Sequence, residues 1–294
     1  MKKLLKNKKL LVLLCLIGLV FLAGCQKNTD ANGNTLPERI IYLTTPWSDM
    51  FDESIFTAIL IYPLAQCINF IGTYTHSAIL GVVVTTILYN LLTLKISINS
   101  TASSQKLQII QPEISKIQAK YEGRTDDAAR MQQAQELQQI YNKYGVNPLS
   151  SLAMPFLTFP IMIAMFYASQ RAAVVCEGSA LGVPLTTTPR YAFQHPQTCW
   201  VIIIIFVIML ILQFISGFLP QVLAKKRIKE KKGYKAYDQP KQNNSATIMM
   251  VAMLLLVGVI ALNWPASMSV YWAVSSFVNI LKTLYIQKRY VDNA

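Results

Sequence analysis

Five long apolar stretches dominate the chain, and each is close to the length of a membrane-spanning helix. A span needs about 20 apolar residues to cross roughly 30 Å of hydrocarbon. Residues 201–212 contain no polar side chain at all. We therefore predict five transmembrane helices, at about 79–96, 149–173, 199–223, 246–264 and 265–288.

Residues 54–72 form a sixth apolar stretch, which contains Pro63. It is either a further span or an amphipathic helix in the outer membrane interface. Basic charge separates these alternatives, because cytoplasmic loops collect Lys and Arg. The loops 97–148 and 224–245 hold six and eight basic residues. Both face the cytoplasm if the chain has five spans and an outer N-terminus, so we predict that 54–72 is an interfacial helix.

The loop 97–148 is the largest predicted water-facing segment. Its apolar residues recur at intervals of three and four, which indicates one face of a helix. They are Leu107, Ile110, Ile114, Ile117 and Tyr121, then Met131, Leu137, Ile140, Tyr141 and Tyr144. Asp126 and Asp127 begin the second helix, where negative charge suits the helix dipole, and Gly145 is its predicted C-cap. The pattern predicts a cytoplasmic antiparallel helical hairpin over 97–145.

The N-terminus has the layout of a secretory signal, with five early Lys residues, an apolar stretch and a small-residue cleavage site. Leu22-Ala23-Gly24-Cys25 resembles the bacterial lipoprotein signal, in which the thiol of Cys25 accepts diacylglycerol before cleavage. The alternative is an uncleaved signal anchor. The predicted organisation is a signal peptide (1–24), an extracytoplasmic segment (25–78), a membrane core (79–289) and a short cytoplasmic tail (290–294).

Composition excludes a soluble globule. Only 14% of the residues are charged and 53% are hydrophobic, whereas a soluble domain carries roughly 25% charged residues. No glycine-rich phosphate loop is present, and the cores of the predicted spans lack the acidic residues typical of proton relays. His76 and His195 have no Cys or carboxylate at ligand spacing. We therefore expect no metal, no cofactor and no enzymatic activity.

Neutral polar side chains interrupt three of the predicted spans. Thr86, Asn90 and Thr93 share one face of the first, Gln213 lies in the third, and Ser275 and Asn279 lie in the fifth. Such residues either hold helices together by hydrogen bonds or line a wet cavity, because a polar face in hydrocarbon is costly unless it meets protein or water. Both alternatives remain open.

Cys176 and Cys199 flank the predicted outer loop 174–198. Disulfides persist outside the cytoplasm. Either a bridge between these cysteines closes the loop, or both are free thiols near the membrane interface.

Three local motifs add to this layout. They are Gln105-Lys106-Leu107-Gln108 with Ile110-Gln111-Pro112-Glu113-Ile114, Tyr144-Gly145-Val146-Asn147-Pro148-Leu149 with Phe159-Pro160-Ile161, and Asn263-Trp264-Pro265-Ala266 with Tyr271-Trp272. With the order of the predicted segments, they resemble the YidC/Oxa/Alb family of membrane protein insertases, in its Gram-positive lipoprotein form. The likeness covers about residues 46–289.

The resemblance implies an all-α membrane protein that moves nascent transmembrane segments into the bilayer. It would do so through a polar groove open to cytoplasm and lipid, without chemical catalysis. The implied groove residues are Thr86, Asn90, Thr93, Lys95, Gln213, Ser275 and Asn279. The family usually carries an Arg in its first span, and Asn90 stands at that position here. The groove is then either uncharged or takes its charge from Lys95, and Arg171 is the other nearby cation.

The implied partners are nascent membrane proteins, the ribosome and the Sec translocon, at the bacterial plasma membrane. The N-terminus would be lipid-anchored outside and the C-terminus cytoplasmic. The basic loop 224–245 contacts either anionic lipid or ribosomal RNA, and no DNA is expected. Two rival functions remain, a small-solute transporter or channel and a chaperone that folds spans after another machine inserts them.

Overall fold

The computed structural model describes residues 36–124, 126–232 and 245–291. The described chain is predominantly helical. Its helices are α1 (Ser48–Glu53), α2 (Tyr62–Thr75), α3 (Ala78–Leu92), α4 (Leu94–Lys120), α5 (Asp127–Lys143), α6 (Pro148–Arg171), α7 (Ala173–Cys176), α8 (Pro189–Gln194), α9 (Pro196–Lys232), α10 (Ser245–Ala261) and α11 (Ala266–Ile286). Shorter elements are a 3-10 turn at Pro37–Arg39, π-helical turns at Thr57–Ile61 and Gln287–Val291, and strands β1 (Ser179–Ala180) and β2 (Val183–Pro184). The predicted signal peptide and Cys25 lie outside the described residues.

The chain divides into two compact units. The first contains the residues up to Leu88, with Thr158–Met209 and Val259–Val274. The second contains Tyr89–Leu157, Leu210–Gly258 and Ser275–Ala294. Helices α3, α6, α9, α10 and α11 contribute residues to both.

Each of the five stretches predicted to span the membrane contains a long helix: α3, α6, α9, α10 and α11. Among the described residues, the segment Pro196–Ala224 of α9 is long and apolar enough to cross a membrane on its own. Only 22% of its most apolar window is buried, so its side chains face outward. Helices α3 and α4 meet the same criterion together, although they are bent by 70°.

The bend between α3 and α4 ends the first predicted span earlier than expected, at Leu92 rather than residue 96. Thr93 occupies the break, with φ −89° and ψ 1°. Its hydroxyl donates to the carbonyl oxygens of Tyr89, at 3.0 Å, and Asn90, at 3.4 Å. A Thr hydroxyl that bonds back to the preceding turn often bends a helix, and this bond lies at the break.

The apolar stretch 54–72 is helical, as predicted, and packs against its neighbours in the first unit. Asn69 donates to the carbonyl oxygen of Ile41 at 2.6 Å and accepts from the backbone N–H of Val174 at 3.1 Å. A Cβ on Gly81 would lie 2.6 Å from the carbonyl oxygen of Ile68, so the close approach of α2 and α3 requires glycine there.

The segment 174–198, predicted as an outer loop, contains more structure than the sequence predicted. Strands β1 and β2 pair antiparallel across Leu181 and Gly182, whose φ values are +49° and +85°. Two positive φ values are what a tight two-residue hairpin turn needs. Helix α8 follows, and Thr188 caps it by accepting from the backbone N–H of Tyr191.

The structure forms no disulfide between Cys176 and Cys199. The thiol of Cys176 donates to the carbonyl oxygen of Gln170 at 2.9 Å. Cys199 is buried in an apolar cluster with Val183 and Ile202 among others. Each thiol therefore has its own local environment.

The predicted hairpin is present in the second unit as α4 and α5. Ile110, Ile114 and Val146 form its buried centre, with Leu107, Leu137, Ile140 and Tyr141 packed against them. Asp126 caps α5 by accepting from Ala129, and Gly145 ends it at φ +58°. The prediction was wrong for Met131, whose side chain is 65% exposed.

The basic loop predicted over 224–245 is shorter than expected, because α9 continues as far as Lys232. The first part of the predicted loop is therefore helical. Residues 233–244 lie outside the described part of the chain.

Candidate functional site

Buried polar side chains gather in the second unit around the break at Thr93. Asn90 precedes the break and Ser97 follows it, and they are 5% and 1% exposed. The ammonium group of Lys282, from α11, donates to Asn90 Oδ1 at 3.1 Å and to Ser97 Oγ at 3.0 Å. One lysine thus connects the two helices that flank the break.

Further polar contacts connect α11 with α4 and with α9. Gln105 Nε2 donates to the carbonyl oxygen of Thr283 at 3.3 Å, while its Oε1 has no partner among the described residues. Ser276 of α11 donates to Gln213 Oε1 of α9. Neutral side-chain hydrogen bonds of this kind hold membrane helices together, and an unpaired buried acceptor is costly.

Three of the implied groove residues each make a polar contact with another helix of the second unit. Asn90 contacts Lys282, Gln213 contacts Ser276, and the hydroxyl groups of Ser275 and Tyr89 lie 3.4 Å apart.

The other implied groove residues lie elsewhere. The hydroxyl of Thr86 belongs to the first unit and donates to the carbonyl oxygen of Val82 at 2.7 Å. Thr93 donates back to its own helix, as described above. The side chains of Lys95 and Asn279 are exposed, so neither belongs to the buried group around Asn90.

The site differs from an open groove, because Lys282 closes it. Lys282 is 6% exposed and Asn90 5%. The long side chain of Lys282 fills the space between the two neutral oxygens that it contacts. Access to these polar groups therefore requires the helices to separate.

Arg171, the other cation considered near the first span, is already paired within the first unit. Its Nη1 and Nη2 donate to Glu53 Oε2 and Oε1 at 2.8 Å each, and its Nε donates to the carbonyl oxygen of Arg39 at 2.7 Å. Arg39 makes a second ion pair with Glu53 at 3.0 Å. The charge of Arg171 is thus neutralised by a bidentate partner, which is the strong form of such a pair.

Sequence reasoning missed Lys282, although the signal was available. It is a charged residue inside the predicted fifth span and lies seven positions after Ser275, on the same helix face. A charge within a span is rare and usually marks a functional position. Lys282 was left out because the cations considered were Lys95 and Arg171.

An ion pair and a hydrogen bond also join the two helices of the hairpin, outside the predicted spans. Lys120 contacts Glu136 at 2.6 Å, and this hydrogen bond lowers the pKa of Glu136 from its ordinary value of 4.5. Tyr144 donates to Glu113 at 2.8 Å, which raises the pKa of the tyrosine. These two contacts join α4 and α5 at both ends of their antiparallel overlap.

No metal centre is formed by the residues of 36–124, 126–232 and 245–291, where no three His, Cys, Asp or Glu side chains are placed to hold an ion. His76 occupies the left-handed turn between α2 and α3, at φ +50°. The ring of His195 stacks on Tyr191 with centroids 4.2 Å apart.

Comparison with known proteins identifies the family. Residues 70–293 match the model of the family described as 60Kd inner membrane protein. This helical chain with a membrane-length apolar helix belongs to that family, which confirms the resemblance stated from its motifs.

Curated relatives cover most of the chain. It is 29% identical over 227 residues to membrane protein insertase YidC 1 of Streptococcus pyogenes serotype M3, a match covering 77% of this chain and 72% of the relative. It is 27% identical over 283 residues to membrane protein insertase YidC 2 of Bacillus anthracis, covering 96% and 94%. It is 27% identical over 229 residues to membrane protein insertase MisCA of Bacillus subtilis strain 168, covering 78% and 77%.

Proposed function

We propose that the chain is a membrane protein insertase, which moves nascent transmembrane segments into the bilayer along the polar group around Asn90 and needs no chemical step. The supporting observation is that Asn90, Ser97 and Lys282 are buried together, in a member of this family. Buried polar groups cost free energy. In a member of this family, we infer that the group also binds the polar segments of substrates.

The mechanism follows from the cost of carrying polar backbone through lipid. The short outer segment of a nascent membrane protein is polar and does not cross about 30 Å of hydrocarbon unaided. When the helices separate, Asn90, Gln213 and Ser275 offer it replacement hydrogen bonds. The apolar span then moves sideways into lipid, driven by its own burial at about 25 cal/mol per Å².

The proposed topology has five spans, with the N-terminus outside and both basic segments inside. Helix α2 and the π-helical turn before it, with Phe70 and Ile59 exposed, would lie in the outer interface. The hairpin of α4 and α5 would receive nascent chains on the cytoplasmic side. This arrangement agrees with the excess of Lys and Arg in the segments placed inside.

A lipid anchor on Cys25 and contacts with the ribosome and the Sec translocon belong to the same proposal. The basic segment 224–245 would contact anionic lipid, with ribosomal RNA as the alternative. Both contacts rest on phosphate attraction and would weaken as salt increases. Neutralising these Lys residues would lower ribosome co-sedimentation only if RNA is the partner.

Insertion by the purified protein in sealed vesicles tests this function. A substrate chain with one hydrophobic span and a short outer tail would be translated in the presence of the vesicles. Protection of the chain from protease would report its insertion. We expect insertion above that of empty vesicles without the Sec translocon. Insertion only when the translocon is added would indicate a folding chaperone instead.

The same vesicles separate an insertase from a channel. They would be loaded with a small fluorescent solute before translation begins. An insertase retains the solute while the nascent span becomes protease-protected. Solute release without insertion would contradict the proposal.

A further inference from the structure

A cavity of about 290 Å³ lies in the first unit, between the segment 42–44, α2 and α7. Its lining includes Tyr42, Thr44, Asn69, Thr73, Val174 and Glu177. We propose that this cavity binds the primary ammonium headgroup of a phospholipid in the outer leaflet, as in phosphatidylethanolamine. The inference goes beyond the insertase function, although the placement of the cavity on the outer side rests on the proposed topology.

The first argument is that hydrogen bonds join the walls of the cavity. Asn69 of α2 donates to the carbonyl oxygen of Ile41 at 2.6 Å and accepts from the backbone N–H of Val174 at 3.1 Å. Gln66, three residues earlier on α2, donates to the carbonyl oxygen of Tyr42 at 2.9 Å. Each wall is therefore tied to α2 through its backbone, which gives the cavity a fixed shape.

The second argument is the charge of the lining. Among the described residues that line the cavity, Glu177 carries the one carboxylate and none is basic. This carboxylate makes no ion pair or hydrogen bond with another residue that the structure describes. A cation that enters the cavity would therefore meet a negative charge that no other described residue neutralises.

The third argument is the number of acceptors that surround this charge. The hydroxyl groups of Tyr42, Thr44 and Thr73 belong to the same lining, and none has a partner elsewhere in the described part of the chain. A hydroxyl oxygen accepts through two lone pairs, whereas a primary ammonium group has three donors and no acceptor. The lining thus offers enough acceptors for every N–H of such a group.

The neighbouring side chains of α2 favour a lipid as the source of the ammonium group. Phe70 follows Asn69 and Tyr74 follows Thr73, and these two aromatic side chains are 54% and 74% exposed. Their ring centroids lie 4.7 Å apart. Exposed aromatic side chains are typical of the membrane interface, where lipid headgroups lie. An amine of a peptide would supply the same ammonium chemistry but no acyl chain for this aromatic surface.

Native mass spectrometry of the full chain tests the proposal without a variant. The protein would be released from micelles that hold phosphatidylethanolamine and phosphatidylcholine in equal amounts, with the same acyl chains. Both headgroups carry a positive nitrogen, but only ethanolamine has N–H donors. We expect more phosphatidylethanolamine than phosphatidylcholine to stay bound, with the mono- and dimethylated headgroups between them. Equal retention across this series would overturn the inference.

Glu177→Gln removes the charge and keeps the shape of the side chain. We expect the ratio of retained phosphatidylethanolamine to phosphatidylcholine to fall about fivefold. That factor corresponds to about 1 kcal/mol at 25 °C, the upper value for an exposed ion pair. The control Glu122→Gln removes an exposed carboxylate from the hairpin and should keep the wild-type ratio. A ratio that is the same in both variants would contradict the assignment of Glu177.

A peptide separates the two sources of an ammonium group. A peptide with the sequence of a substrate's outer tail would be added with either a free or an acetylated N-terminus. The bound lipid should remain in both cases. Loss of the lipid with the free peptide alone would overturn the lipid assignment, because the cavity would then prefer the peptide amine. Lipid retention needs no insertion, so its outcome is distinguishable from a failure of the insertase function.

Discussion

Replacing Glu53 with Gln should destabilise the first unit strongly, because it leaves Arg171 buried without a counter-charge. The guanidinium of Arg171 is 1% exposed, and both of its terminal nitrogens donate to the Glu53 carboxylate at 2.8 Å. Removing one partner of a buried ion pair costs about 3–5 kcal/mol. Gln retains one acceptor oxygen, so we expect about 3 kcal/mol, the low end of that range.

The matched control is Arg39→Gln, which removes the other cation that contacts Glu53. The Arg39 side chain is 27% exposed, and its contact is a single one at 3.0 Å. An exposed pair contributes about 0–1 kcal/mol, so this variant should be close to wild type. We therefore expect the contacts of Glu53 with Arg171 and with Arg39 to contribute very different amounts to the free energy of unfolding.

Equilibrium unfolding in mixed micelles would measure these differences. The double variant Glu53→Gln with Arg171→Met should recover part of the loss, because it removes the unpaired charge. Equal destabilisation by Glu53→Gln and Arg39→Gln would refute the reasoning. So would a double variant that loses the full sum of its two single changes.

Three further outcomes follow from the contacts. Gly81→Ala should destabilise the packing of α2 on α3 by about 1–3 kcal/mol in the same unfolding assay. The control Gly217→Ala should not destabilise the protein, because its added Cβ would meet its nearest neighbour at 3.6 Å. Equal losses of stability in the two variants would contradict this reasoning. Because Lys120 lowers the folded pKa of Glu136 below 4.5, that contact stabilises the hairpin fully above pH 4.5 and is lost as pH falls below it. Hydrogen-exchange protection of hairpin amides in the full chain should therefore decline on acidification less in Glu136→Gln than in wild type, and parallel curves would argue against it. Mass-shift labelling should give the same count of reactive thiols with and without reductant, since no disulfide joins Cys176 and Cys199 in the structure. A gain on reduction would reveal a bridge.

The hairpin was predictable because its signals are local. The apolar positions of α4 and α5 follow the helical period, and Asp126 and Gly145 cap α5 through their immediate neighbours. The left-handed turn at Gly145 lets the N–H of Val146 reach the carbonyl oxygen of Tyr141 at 2.9 Å. Met131 was wrongly assigned to the apolar face that packs on α4. The helical period of apolar residues in α5 continues beyond the part of α5 that packs against α4.

The first predicted span ends early, just before Thr93. Thr93 was predicted to belong to the polar face of a continuous helix. Its hydroxyl bonds to its own helix instead, and α3 stops. The periodicity of a sequence indicates which face of a helix is polar, but it does not identify the hydrogen-bond partners of the polar side chains.

The partner of Asn90 could not be predicted from local pattern, because Lys282 lies 192 positions away. The sequence showed a neutral residue where the resembled family has an Arg and suggested Lys95, which is near in sequence but exposed. Tertiary packing instead brings in a cation from another helix. Long-range pairs of this kind require the fold itself.

Photocrosslinking from position 90 tests the central claim most directly. A photoreactive residue in place of Asn90 would meet ribosome-stalled chains that expose one hydrophobic span, with a second probe at the exposed Met131 of the hairpin as the control. The account predicts a crosslink from position 90 to the nascent span. Capture by the hairpin probe with none at position 90 would contradict it, because substrates would then reach the protein without passing the buried polar group.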